Sequence, residues 1–142
     1  MGYTFDQLPR ALQQQVLRGE SGKGRQELFD SISEAQLQRM VIEEAKRLGW
    51  GKPISRDDMP ANYCLIYHTH DSRKSAWGFP DLVLCHVGQL RVLYVEVKRE
   101  GEKPDPFQLA WHESLLACGQ ESYVWFPHDY EAILEVLRAK PA

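Results

Sequence analysis

The chain has 142 residues, 43% of them hydrophobic and 26% charged, with a formal net charge of −3. That size supports one compact domain rather than two, and the acidity excludes indiscriminate coating of nucleic acid while allowing a locally basic face beside an acid-bearing site. No apolar run approaches membrane-spanning length, and the first residues lack a basic stretch followed by an apolar one, so a cytoplasmic location without a membrane partner is expected.

The N-terminal part reads as an arm. Phe5, Leu8, Leu12 and Val16 recur at helical spacing. The connector Gly19-Glu20-Ser21-Gly22-Lys23-Gly24-Arg25 is flexible by its glycines. It lacks the spacing of a phosphate-binding Walker loop, and no strand precedes it. Residues 1–30 are therefore read as a helical arm and linker, and residues 31–142 as the folded domain. The arm has three open roles: a cover for the domain, a dimer contact or a DNA contact.

Ser33 is placed to cap a helix, with Gln36 as its capping-box partner. Leu37, Met40, Val41, Ala45 and Leu48 make the buried stripe, and Gly49 ends it. Glu34 and Gln38 lie one turn apart on another face. Residues 51–62, with Pro53, Pro60 and Arg56-Asp57-Asp58, have loop composition. Tyr63 to His70 reads as a strand on which His68 and His70 share a face, and no third ligand is suitably spaced to make them a zinc site. Arg73, Lys74 and Ser75 then form a basic loop leading into Pro80-Asp81.

The apolar runs Leu82 to Val87 and Leu90 to Val97 predict a hairpin turning at Gly88-Gln89. Asp81 opens the first strand. Glu96 and Lys98 close the second on one face, with Val95 and Val97 opposite. Two carboxylates and an ammonium group where a core should form are costly without a function, and they suit a divalent metal site with an adjacent cation. After a polar turn, Asp105 caps a helix with Pro106 in its first position, running to about Cys118 and stopped by Gly119. Leu109, Leu115 and Leu116 are assigned to the core. Ser122 to Phe126 reads as a strand, and Asp129 to Ala139 as a terminal helix with Ile133, Leu134 and Leu137 inward. The order of helix, three strands, helix, strand, helix predicts an α/β sandwich: a central mixed sheet flanked by helices. The isolated Cys64, Cys85 and Cys118 are expected to be reduced and packed as small hydrophobes. Trp111, Trp125, Phe126 and the arm offer more apolar surface than the core of one copy requires.

Pro80-Asp81, a hairpin and then Glu96-Val97-Lys98 resembles the PD-(D/E)xK nuclease signature. Five ordered blocks resemble its VRR-NUC family: Tyr67 to Ser75, Gly78 to Leu84, Glu96 to Lys98, Pro106 to Gln108, and Trp111. The similarity runs from about Ser33 to Leu137. It implies a restriction-endonuclease-like fold and metal-dependent hydrolysis of DNA phosphodiesters. Asp81, Glu96 and the Val97 carbonyl would be ligands for magnesium, with manganese able to substitute, and Lys98 would act on the attacking water. Gln108 would support the site, and Glu34 or Gln38 would supply the first-helix residue. Arg73, Lys74, Ser75, His68 and His70 would meet DNA. A standalone domain of this size resembles the family's dimeric enzymes for four-way (Holliday) junctions. The alternatives are a nuclease acting on flaps or nicked duplex, and a non-catalytic DNA-binding or dimerisation module on the same fold.

Overall fold

The computed structural model describes residue 13 and residues 25–69 and 75–139. The expected arm helix, His70, Arg73 and Lys74 lie outside the described residues. Helix α1 spans Arg25–Ser31 and α2 spans Glu34–Arg47. Strands β1 (Ile66–His68), β2 (Leu82–His86) and β3 (Arg91–Val97) follow, then helix α3 (Pro106–Ala117), strand β4 (Glu121–Trp125) and helix α4 (Tyr130–Arg138). The four strands form one sheet in the order β1-β2-β3-β4. The first two pairings are antiparallel and the β3–β4 pairing is parallel, as a crossover through α3 demands. The predicted mixed sheet flanked by helices is the observed architecture.

Both capping boxes form as the sequence requires. The Ser33 hydroxyl accepts from the Gln36 amide while the Gln36 side chain accepts from the Ser33 amide, and Asp105 and Gln108 do the same for α3. The α2 stripe lies against one face of the sheet: Leu37, Val41 and Ala45 are fully buried, with Met40 and Leu48 packed at the margin. Leu82 and Leu84 of β2 stand in register with Val95 and Leu93 of β3 on that face, which Ile133, Leu134 and Leu137 of α4 also cover. Each such side chain contributes about 1.5–3 kcal/mol by leaving water. Phe29 and Ile32 join this core, and Phe29 brings it a residue from before position 31.

The other face is covered differently, and expectations are corrected there and at the sheet edges. Helix α3 buries none of its residues: Leu109 is 39% and Leu116 49% exposed, and Leu115 is half-buried rather than in the core. This helix meets the sheet through polar groups, with Gln108 at Glu96 and His112 at Ser122, and no layer of described residues covers its outward side. Trp125 is not surplus apolar surface, because it sits in the core at 4% exposure, while Trp111 and Phe126 are half-buried. Cys118, at the end of α3, is exposed.

Strand β1 is shorter than the predicted Tyr63–His70. Gly51 enters beside it, donating its amide to the Cys85 carbonyl and accepting from the Leu65 amide, each at 2.7 Å. That approach requires glycine, since a Cβ on Gly51 would lie 2.5 Å from the Cys64 sulfur. The hairpin turn also differs. The Gln89 amide donates to His86 Nδ1, winding Val87–Gln89 into a 3₁₀ turn, and Leu90 rather than Gly88 takes the left-handed conformation.

Candidate active site

The topology brings together the start of β2, the end of β3 and the first turns of α2 and α3. Asp81 directly precedes β2. Its carbonyl accepts from the Thr69 amide at 2.9 Å, and its Oδ2 accepts from the Val97 amide at 2.9 Å. The side chain is therefore tied to the end of β3. Beyond β3, the Lys98 amide donates to the Trp125 carbonyl at 2.9 Å and extends the parallel ladder by one residue. This holds Glu96 and Lys98 at a fixed alternation.

Glu96 is 6% exposed. Its Oε1 accepts from Gln108 Nε2 at 2.7 Å, and Lys98 Nζ stands 3.8 Å from the same oxygen. Its Oε2 is buried and accepts from no N–H or hydroxyl donor among the described residues, while the carboxyl of Glu96 lies within hydrogen-bonding reach of the Asp81 carboxyl. Burial, followed by the charge of Asp81, pushes the Glu96 carboxyl up to about 9, against the opposing pull of Lys98. A buried acid with one bare oxygen, beside a second acid, is a group that a cation would relieve. Among the described residues no three His, Cys, Asp or Glu side chains gather into a ligand cluster, so an ion here would also draw on main-chain oxygen or water.

Of the two first-helix candidates, Glu34 reaches the site. Its Oε1 lies 3.8 Å from Lys98 Nζ, whereas Gln38, one turn further along α2, makes no ion pair or hydrogen bond with Asp81, Glu96 or Lys98. Burial, and then a hydrogen bond with Glu102, push the Glu34 carboxyl up to about 7, with Lys98 opposing. Glu102 lies in the polar turn after β3, and its place just beyond Glu96-Val97-Lys98 is the signal that the sequence offers. Gln108 closes its capping box through Oε1, leaving Nε2 free to turn toward Glu96. The Val97 amide is committed to Asp81 Oδ2.

The DNA-facing candidates are less gathered. His68 is in register with Leu82, on the core-facing alternation of the strands rather than that of Asp81 and Glu96. Ser75 is half-buried and lines a cleft with Asp81 and Gln108. Among the described residues no helix is long and apolar enough to cross a membrane.

A solved chain named a VRR_NUC domain superposes with a TM-score of 0.53 at 24% identity, over 73% of this chain and 92% of that one, a likeness of fold. A second, named a VRR_NUC domain protein, gives a TM-score of 0.49 at 19% identity over 78% of this chain and 93% of that one. A protein of Acyrthosiphon pisum secondary endosymbiont phage 1, named as a candidate nuclease (p44), is 37% identical over 57 residues, spanning 40% of this chain and 60% of the phage protein. The VRR-NUC domain model matches residues 32–125, a stretch that holds Asp81, Glu96, Lys98 and all four strands, and the chain therefore belongs to the VRR-NUC domain family.

Proposed function

We propose that this protein is a metal-dependent endonuclease that hydrolyses phosphodiester bonds of DNA, with four-way junctions as substrate and a homodimer as working form. The observation that carries the metal is the bare, buried Oε2 of Glu96 beside Asp81. The donor set fits a hard divalent ion: Asp81, Glu96 and the Val97 carbonyl would hold magnesium, and manganese would substitute because both accept oxygen ligands. Such an ion supplies charge relief at the phosphate and a more acidic water.

The chain's own residues then have separable tasks. Lys98, 12% exposed at its side chain, sits between Glu34 and Glu96 and offsets charge on the scissile phosphate or orients the attacking water. Gln108 fixes the Glu96 rotamer by a hydrogen bond to one oxygen, which leaves the other available. Glu34, poised near neutral pH, is a candidate to exchange a proton with water at the site. Arg73, Lys74 and Ser75, which precede Asp81 in the chain, supply phosphate contacts, and His68, on the core-facing alternation, is not among them.

The dimer is supported by the incompletely covered sheet face. Tyr67 is 55% exposed and Val92 37% exposed, and the outward leucines of α3 add to the apolar surface. Two copies related by a two-fold axis match the symmetry of a four-way junction.

Cleavage of labelled junction, flap, nicked and linear DNA with magnesium, repeated with Asp81→Asn and Lys98→Ala, tests the reading. Junction-selective paired incision by the parent, lost by at least 100-fold in both variants with folding retained, is the expected result. Preferential cutting of flaps or nicks would replace the junction assignment, and binding without cleavage by the parent would make the domain a non-catalytic module. Light scattering reads the dimer separately.

A further inference from the structure

The acids, Lys98 and Gln108 occupy one wall of the site, and the adjoining wall is aromatic. Trp77 is 72% exposed and Phe107 51% exposed, with ring centroids 5.2 Å apart at an interplanar angle of 75°. They border a cleft of about 430 Å³ that also includes Asp81 and Gln108, a volume typical of ligand pockets. The cleft therefore reaches the carboxylate site at Asp81.

The segment bearing Trp77 is held from behind. Its carbonyl accepts from Trp111 Nε1 at 3.0 Å, and the Trp111 ring makes an edge contact with Phe79 at 5.1 Å. Gly78 has φ +77°, and a Cβ there would lie 2.3 Å from the carbonyl carbon of Phe107, so the segment is seated directly on the first turn of α3. A backbone fixed this closely while its tryptophan ring stands in water keeps an apolar face permanently on offer beside the site.

We infer that the Trp77–Phe107 cleft stacks an unpaired nucleobase of the DNA strand next to the phosphate served by Asp81 and Glu96. This rests on the nuclease reading above and deepens it by naming what is recognised. A base offers flat apolar faces only where it is not stacked in a duplex, and aromatic side chains bind it there without regard to sequence. Charge selects the same occupant: Asp81 and Asp105 both line the cleft and repel a phosphate, whereas a neutral base is not repelled. The preferred cleavage position is then one where the strand leaves a duplex, as at a crossover, a flap or a frayed end.

A short single-stranded oligonucleotide carrying 2-aminopurine, titrated with the full chain in EDTA, tests this without cleavage. Binding by the parent should quench the probe. Trp77→Ala and Phe107→Ala should each weaken binding roughly tenfold with loss of quenching, and Trp77→Phe should recover most of both. Unchanged affinity and quenching in the two alanine variants would overturn the inference, as would a change of oligomeric state in Trp77→Ala, which would make the ring a protein contact. Parallel reactions with magnesium keep the two readings apart. A parent that cuts DNA with no dependence on either ring refutes the cleft alone, and a parent that cuts nothing yet shows Trp77-dependent quenching refutes the nuclease reading alone.

Discussion

Gln108 donates its side-chain amide to Glu96 Oε1 at 2.7 Å while its own carbonyl oxygen accepts from the Asp105 amide at 2.9 Å. One side chain thus caps α3 and orients the buried acid, which couples the start of a helix to the chemistry of the sheet. Gln108→Ala should leave both Glu96 oxygens without a hydrogen-bond donor and the helix without its reciprocal cap. The expected cost is about 1–3 kcal/mol of stability and a fall of roughly 10–100-fold in cleavage or metal affinity. Measuring magnesium affinity beside thermal unfolding separates the two effects. A variant with lower stability and unchanged metal affinity would confine Gln108 to the cap.

Glu96→Gln should stabilise the metal-free protein, and the gain should grow with pH. The folded-state value of about 9 lies above the roughly 4.3 of an unfolded glutamate. Between them the unfolded chain releases a proton that the folded chain retains, so parent stability is full below the lower value and declines as pH rises toward the higher. Glutamine removes that titration, for a gain on the order of 1–3 kcal/mol at pH 8 and little at pH 4. Glu34, raised to about 7, keeps part of the slope in the variant. Urea unfolding in EDTA at pH 5 and 8 reads this directly; no advantage for the variant at pH 8 would mean that Glu96 is ionised and already compensated.

The parts of this fold that the sequence made legible are the local ones. Ser33 with Gln36, Asp105 with Gln108, and the buried spacing of Leu37, Val41 and Ala45 each involve residues within a turn or two, so residue type alone dictates them. The pairing of Asp81 with Glu96 followed from a hairpin whose two strand ends must meet. What could not be read depends on distant chain. The apolar positions of α3 look like core in the sequence, yet whether a layer covers Leu109 and Leu116 is decided elsewhere. Gly51 shortens β1 through contacts with Leu65 and Cys85 that no spacing announces. The choice of Glu34 over Gln38 turned on the position of Lys98, in the strand layer rather than in the helix.

Arg73 and Lys74 should act on affinity rather than on the chemical step. They precede the carboxylate site in the chain, and each phosphate neutralised by such a residue adds about 0.9 to the logarithmic salt slope of duplex binding. The double alanine variant should therefore bind junction DNA more weakly and with a slope lower by about 1–2, while its single-turnover rate at saturation stays near the parent's. Titrations across a range of salt concentrations decide it, and an unchanged slope would make the loop ordinary solvated surface.

Arg91 is the polar fastener of the far end of the domain. Its Nε and Nη2 donate to the two oxygens of Glu121 at 2.8 and 2.7 Å, and Nη1 reaches the carbonyls of Val136 and Ala139 at 2.8 and 2.7 Å. The guanidinium also lies 5.2 Å from the Trp50 ring centroid. It joins β3, β4 and the C-terminal end of α4, where the Val136 carbonyl otherwise accepts only from the Ala139 amide at 3.3 Å. Arg91→Ala should cost roughly 2–4 kcal/mol and speed amide exchange first in α4. Hydrogen bonding to Arg91 holds the Glu121 carboxyl below the ordinary glutamate value. Its contribution is therefore present above about pH 4.3 and is lost as pH falls through the lower folded-state value. The stability gap between parent and variant should accordingly narrow in acid. Unfolding curves at pH 3 and 7 with exchange mass spectrometry test both halves; an equal gap at the two pH values would mean that Arg91 acts through the helix carbonyls and Trp50 alone.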